Sequence, residues 1–194
     1  EVTVRLYVCQ GQVGWHIHED QDEFFFVQDG EVILETEAGK AILGPGQMAV
    51  SPKNVPHRSR SVLWSVLLNF SGGFPFVRRN GHHESPARKD PSAILPKSDL
   101  NEAARGLDAP YEARRLALVN DFELRLLRAV GAGPLWTFDG AVWYYVPSGT
   151  VQVESAEGRL ELTTGEMTVV PKRVRHHVSA ERSALVMQFK RVKE

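Results

Sequence analysis

Three histidines and one glutamate carry the chemistry this sequence can do. His16, His18 and Glu23 follow one another in the order H-x-H-x4-E, and His57 closes the stretch GQMAVSPKNVPH. Residues two apart on a strand share a face. A strand through positions 14–18 therefore sets His16 beside His18, and the acidic turn EDQD lets Glu23 return on a neighbouring strand. Three imidazoles and a carboxylate form a borderline N/O donor set. It suits Fe(II), Mn(II), Ni(II), Zn(II) or Cu(II) and leaves coordination positions open for water or a substrate. A metal so held can bind an oxygen-bearing substrate together with O2, activate water, or act as a Lewis acid. The plain alternative is four polar residues on solvent-facing strand positions. The combination of ligand types with turn residues at regular spacing argues against it. Glu19 is a weaker rival to Glu23, and Glu19, Asp20 and Asp22 otherwise suit a solvated turn. No Ser/His/Asp arrangement and no phosphate-cradling glycine loop accompanies the four.

The elements that must position these residues are short strands. Val2–Val8, Phe24–Val27, Glu31–Thr36, Ala41–Leu43, Met48–Ser51 and Ser61–Phe70 are rich in β-branched and aromatic residues and are bounded by turn signals. Asp29-Gly30 reads as a hairpin turn. Ser71–Pro110 is different in kind: proline, glycine, serine and arginine dominate, with one helical stretch at Leu100–Leu107. His82 and His83 fall there as solvated loop residues rather than a second metal site. Arg78, Arg79, Arg88 and Lys89 of the same stretch could cover a substrate carboxylate, with charges of a solvated loop as the commoner explanation. Strands resume at Leu116–Asn120, Phe122–Val130, Ala141–Pro147 and Thr150–Glu154.

An internal repeat then becomes visible. Displacing the chain by 119 residues sets Gly30–His57 on Gly149–His176, with 12 of 28 positions identical and no gap. The chain is thus a tandem of two barrels. The same displacement turns His16 into Leu135, His18 into Thr137 and Glu23 into Val142, and leaves only His176, beside His177. One histidine cannot hold a catalytic metal, so the second barrel keeps the fold without the site. Trp136, Trp143, Tyr144 and Tyr145 are expected there mainly as core, with an apolar ligand pocket as the alternative.

Composition excludes several functions. The 194 residues carry a formal charge of −1, which provides no basic field for nucleic acid or anionic lipid. No apolar run is long enough to span a bilayer. The single cysteine, Cys9, permits no intrachain disulfide, suits a small core hydrophobe and fits a reducing cytoplasm.

The pattern resembles the cupin superfamily. The first cupin motif, G-x5-H-x-H-x3,4-E-x6-G, is matched from His16 through Gly30, although Gln10 stands at the leading glycine and Gly11 comes one residue late. The second, G-x5-P-x-G-x2-H-x3-N, is matched at Gly46, Pro52 and His57, with Asn54 at the inner glycine and Ser61 at the final asparagine. The resemblance implies an all-β chain of two jelly-roll barrels, each of six to eight strands. The expected organisation is a metal-binding barrel over 1–70, an irregular Pro-rich linker over 71–115 and a degenerate barrel over 116–194. The layout is similar to 3-hydroxyanthranilate dioxygenase-type bicupins. That family supplies one histidine in its first motif where this chain has two, so its substrate does not transfer. Small cupins that act as oxygenases, cyclases or isomerases offer a second analogy.

The expected function is that of a metal-dependent enzyme, first an Fe(II) dioxygenase acting on a small aromatic or hydrophobic compound. His16, His18, Glu23 and His57 hold the metal. Phe25 and Val27, which share parity with Glu23, and Ser59, which shares parity with His57, line the substrate space. The alternatives are a non-oxidative isomerase, cyclase or decarboxylase using Zn, Mn or Ni, and a non-catalytic binding module. The expected partners are a small molecule, O2 and a second copy of the chain in a homodimer, with no nucleic acid and no membrane.

Overall fold

The computed structural model describes residues 2–72 and 93–192, and they form two compact units, Glu1–Leu100 and Asn101–Glu194. The first contains β1 (Val2–Gln12), β2 (Glu23–Asp29), β3 (Val32–Thr36), β4 (Gly39–Leu43), β5 (Gln47–Ser51), β6 (His57–Gly72) and β7 (Ser98–Asp99). A short helix, α1 (Leu100–Arg105), follows. The second unit continues with β8 (Ala113–Val119), β9 (Phe122–Ala132), β10 (Val142–Ser148), β11 (Thr150–Ser155), β12 (Gly158–Thr163), β13 (Met167–Val170) and β14 (His176–Arg191). No helix among the described residues is long and apolar enough to cross a membrane.

Each unit is one curled antiparallel sheet. Hydrogen bonding runs β4-β3-β6-β2-β5-β7 in the first and β12-β11-β14-β10-β13 in the second, so the order of five strands repeats, with β7 added at one end of the first. The long strand β6 is the hub. Its opening residues His57–Arg60 pair with β3, and its later residues pair with β2 on one side and β1 on the other. The run Phe24-Phe25-Phe26-Val27 is buried throughout, as expected of a strand covered on both faces. Phe25 and Val27 join the barrel core with Leu34, Leu43 and Leu67.

Two expectations are corrected by the pairing. Asp29-Gly30 does not close a hairpin: β2 pairs with β5 and β6, whereas β3 pairs with β4 and β6. Gly30 turns the corner between them at φ +82, packed so that a Cβ would collide with Ser65. The dipeptide signals a left-handed backbone, not which strands meet. Residues 14–18 also form no strand. His16 and His57 instead make an isolated bridge, each N–H donating to the other's carbonyl at 3.0 Å.

The stretch read as a linker is shared between the units. Residues 93–100 belong to the first and 101–115 to the second, while 73–92, with His82, His83, Arg78, Arg79, Arg88 and Lys89, lie outside the described residues. Lys40 N–H donates to the Ala93 carbonyl and Leu95 N–H to the Lys40 carbonyl, both at 3.0 Å, which lays this segment along β4. Leu95 enters the first barrel's core at 7% exposure. Leu95→Ala should therefore lower the unfolding free energy by about 2–5 kcal/mol, measured by urea titration; a change within error would mean that this segment only lies on the surface.

Candidate metal centre

Two loops and two strands bring the centre together. Glu23 opens β2 and His57 opens β6. His16 is fixed by its bridge to His57. His18 is tied by its carbonyl, which accepts the Asn54 N–H at 2.7 Å. Asn54 adopts φ +63, the conformation that a glycine would take at that place in the motif and that asparagine tolerates. The Asp22 carboxylate accepts the Lys53 N–H at 3.0 Å and ties the acidic loop to the turn before His57.

The ligand-type atoms of His16, His18, Glu23 and His57 all lie within 4.8 Å of one another. None of the four residues is more than 5% exposed. From one carboxylate oxygen, Glu23 Oε2, the Nε2 atoms of His57, His18 and His16 stand at 2.9, 3.2 and 3.8 Å. Burial alone would push the Glu23 carboxyl up. Hydrogen bonds from the three imidazoles and the charge of His57 outweigh it and hold the carboxyl well below the usual range.

The surroundings decide which nitrogens face inward. His16 Nδ1 is 2.9 Å from the Gly14 carbonyl and His57 Nδ1 is 2.9 Å from the Val55 carbonyl. A carbonyl only accepts, so Nδ1 carries a hydrogen in both rings and Nε2 is the nitrogen turned inward. Such outer partners fix tautomer and ring orientation in metal-binding histidines. As neutral rings these two would turn lone pairs toward the carboxylate oxygen, a crowding that a cation between them relieves. The donor set and its geometry therefore fit a divalent metal ion, with three imidazole nitrogens and one carboxylate oxygen as ligands.

Sequence reasoning missed two residues here. Asn69, 1% exposed on β6, donates through Nδ2 to Glu23 Oε1 at 3.0 Å and to the Phe24 carbonyl at 3.1 Å, which orients the carboxylate. Ser51 stands directly opposite Glu23 in the β2–β5 pairing, with a buried hydroxyl that has no hydrogen-bond partner among the described residues. The usable signal was a lone amide inside the apolar run SVLLNF. Of the expected substrate residues, Phe25 approaches the site with its ring 6.4 Å from that of His57, edge to face. Val27 is fully buried farther along β2, in the core. Ser59 is half-buried two residues beyond His57, opposite Leu34.

The second barrel fills the same place differently. Under the 119-residue displacement Phe25 becomes Tyr144, Asn69 becomes Gln188 and Ser51 becomes Val170. The His176 ring keeps its Nδ1 contact to a carbonyl, Val174 at 2.9 Å. Its Nε2 lies 2.8 Å from the Tyr144 hydroxyl, which accepts from Gln188 Nε2 at 3.2 Å. Burial raises the Tyr144 phenol well above its ordinary range and lowers His176. The phenol therefore keeps its proton and donates it to a neutral ring. Trp136 and Phe138 pack about His176, and Trp143 stacks on Tyr145.

Residues 4–62 match the family model described as a cupin domain. The match lies within the N-terminal barrel, and the second barrel has the same order of its five paired strands. Salicylate 1,2-dioxygenase from Pseudoaminobacter salicylatoxidans superposes with a TM-score of 0.74 at 16% identity, over 97% of this chain and 70% of that one. A structure of that enzyme with gentisate gives 0.77 at 14% identity, over 97% and 67%. A cupin 2 conserved barrel domain protein from Leptotrichia buccalis gives 0.73 at 11% identity, over 99% and 89%. At such identities the likeness is one of fold. In sequence, the uncharacterized protein YdbB of Bacillus subtilis is 38% identical over 66 residues, which are 34% of this chain and 58% of that protein.

His16→Ala and His57→Ala should each abolish most metal binding, measured by elemental analysis after reconstitution, while His176→Ala should leave the metal content unchanged. Equal loss in all three would rule out a single centre in the first barrel. Tyr144→Phe, which strips the buried His176 and Gln188 of a shared partner, should cost about 1–3 kcal/mol in urea unfolding with the metal content intact.

Proposed function

We propose that this bicupin is an Fe(II)-dependent dioxygenase acting on a small aromatic compound at the centre built by His16, His18, Glu23 and His57. The reading rests chiefly on one observation: three buried imidazole Nε2 atoms converge on one carboxylate oxygen in the first barrel. An iron ion held by these four side chains would supply open coordination positions and the redox chemistry that O2 insertion needs. The residues do the rest. The Gly14 and Val55 carbonyls hold the His16 and His57 rings in the ligating tautomer, and Asn69 holds Glu23 in place. Phe25 presents an aromatic edge beside His57, and Val27 and the core behind it keep bulk water out. This leaves few polar handles and suits an aromatic ring better than a sugar phosphate. The shared fold with salicylate 1,2-dioxygenase, which has been seen with gentisate bound, supports a hydroxylated aromatic acid as the first substrate class to try. The single cysteine suits a reducing cytoplasm.

Protein purified anaerobically, without chelator or an affinity-metal column, should carry iron as its principal metal. An oxygen electrode should then record O2 uptake in step with loss of a catechol, aminophenol or hydroxybenzoate. Zinc, manganese or nickel at full occupancy, with turnover independent of O2, would replace this reading with isomerase, cyclase or decarboxylase chemistry. A chain that takes up no metal on reconstitution would be a binding module.

A further inference from the structure

One buried hydroxyl beside the metal centre is not explained by the fold. Ser51 closes β5 and stands opposite Glu23 across the β2–β5 ladder. Residues directly opposite one another in an antiparallel pair project from the same face of the sheet. Two residues back, Ala49 stands opposite Phe25, and both belong to the barrel core. The Ser51 side chain therefore enters the barrel at the level of Glu23. The residue is 1% exposed, and its Oγ has no hydrogen-bond partner among the described residues.

A serine at the mouth of a turn ordinarily bonds its hydroxyl to a backbone N–H two or three residues on. Here the turn is already committed. Pro52 has no N–H to give. The Lys53 N–H goes to the Asp22 carboxylate at 3.0 Å, the Asn54 N–H to the His18 carbonyl at 2.7 Å and the Val55 N–H to the Pro52 carbonyl at 3.3 Å. The first two bonds clasp the ligand loop, so the hydroxyl could not take their place without loosening His18. A polar group held out of water without a partner is costly, and strand packing gives no reason to keep one. The second barrel carries Val170 at this position, opposite Val142 in the same register, and both valines join its core. The serine is present in the barrel that has the glutamate and absent from the barrel that lacks it.

We infer that Ser51 is a substrate contact of the metal centre, its Oγ–H donating a hydrogen bond to the hydroxyl oxygen of an aromatic substrate bound beside Glu23. The role rests on the function proposed above and adds the substrate atom that the protein recognises. A bound cation favours the deprotonated form of an oxygen ligand. Such an oxygen only accepts, and a hydroxyl with an unused hydrogen is its natural partner. Asn69 does not fill this role, because its Nδ2 is committed to Glu23 Oε1 and the Phe24 carbonyl. The contact favours a phenol over a ring with sulfur in place of the oxygen, since sulfur is a weak acceptor.

The test uses the full chain loaded with cobalt(II), whose visible spectrum reports ligand binding without oxygen chemistry, and two probes of one shape, phenol and benzenethiol. Ser51→Ala, and Ser51→Val with the residue of the second barrel, should weaken phenol binding about ten- to a hundredfold. Benzenethiol should bind both variants as it binds the wild type. Ser51→Thr, which keeps the hydroxyl, should keep the phenol affinity, and all three variants should hold as much cobalt as the wild type. Equal loss for the two probes would mean that the serine only shapes the site. Unchanged phenol affinity in Ser51→Val would mean that the hydroxyl meets nothing in the substrate. Either result overturns the inference and leaves the proposed function standing. A wild-type chain that takes up no cobalt, or whose cobalt spectrum phenol does not change, would overturn the inference together with the metal centre or the substrate class on which it rests.

Discussion

The constraint on which this molecule turns is the crowding of three imidazole nitrogens around one carboxylate oxygen where water cannot screen them. An ionised glutamate out of water is costly, and here it is kept ionised by what surrounds it. Nearly every local feature of the first barrel serves that arrangement. The His16–His57 bridge, the left-handed Asn54, the clasp of Asp22 on Lys53 and the amide of Asn69 each remove a freedom that would let a ligand turn away. Glu23, Asn69 and His57 stand on β6 or its neighbour β2, so the paired strands supply half of the ligand set, while His16 and His18 come from the loop before β2.

The second barrel shows how much of this belongs to the fold and how much to the metal. It repeats the strand order, the glycine corners and the histidine with its carbonyl-bound Nδ1. What it lacks are the other ligands, and each absence is made good. Valine replaces glutamate and its opposite serine together, so no buried charge is left without partners. The remaining acceptor on His176 receives a hydrogen bond from a phenol. A buried polar group must find a partner, and the two barrels satisfy that rule by different means around one backbone.

Much of this was legible in the sequence because it depends on type and spacing. The four ligand residues are declared by their order, and the repeat by glycines and prolines that only particular backbone turns demand. What escaped depended on pairing. Asn69 and Ser51 cannot be assigned to a face until β2 is registered against β6 and β5, since a slip of one residue moves a side chain to the other side. Asp29-Gly30 reports a backbone conformation and not a hairpin, because the strands that β2 actually meets, β5 and β6, pair with it at separations of 22 to 48 residues along the chain. Leu95 was concealed by its neighbourhood: among prolines and charges a single leucine carries no periodicity, and only its placement beside β4 reveals it as core.

The difference between Phe25 and Tyr144 has a consequence for how such centres are lost. The two rings occupy the same position and lie edge-on to equivalent histidines, at 6.4 and 5.6 Å. They differ by one oxygen atom. A lineage of duplicated barrels thus has a short mutational path from a metal-bearing copy to a silent one, because the hydroxyl that caps the last histidine can arrive by a single substitution of a residue already in place. Retirement of the second site need not have passed through an unstable barrel. Duplication could then leave one copy free to serve as scaffold while the other kept its metal ligands.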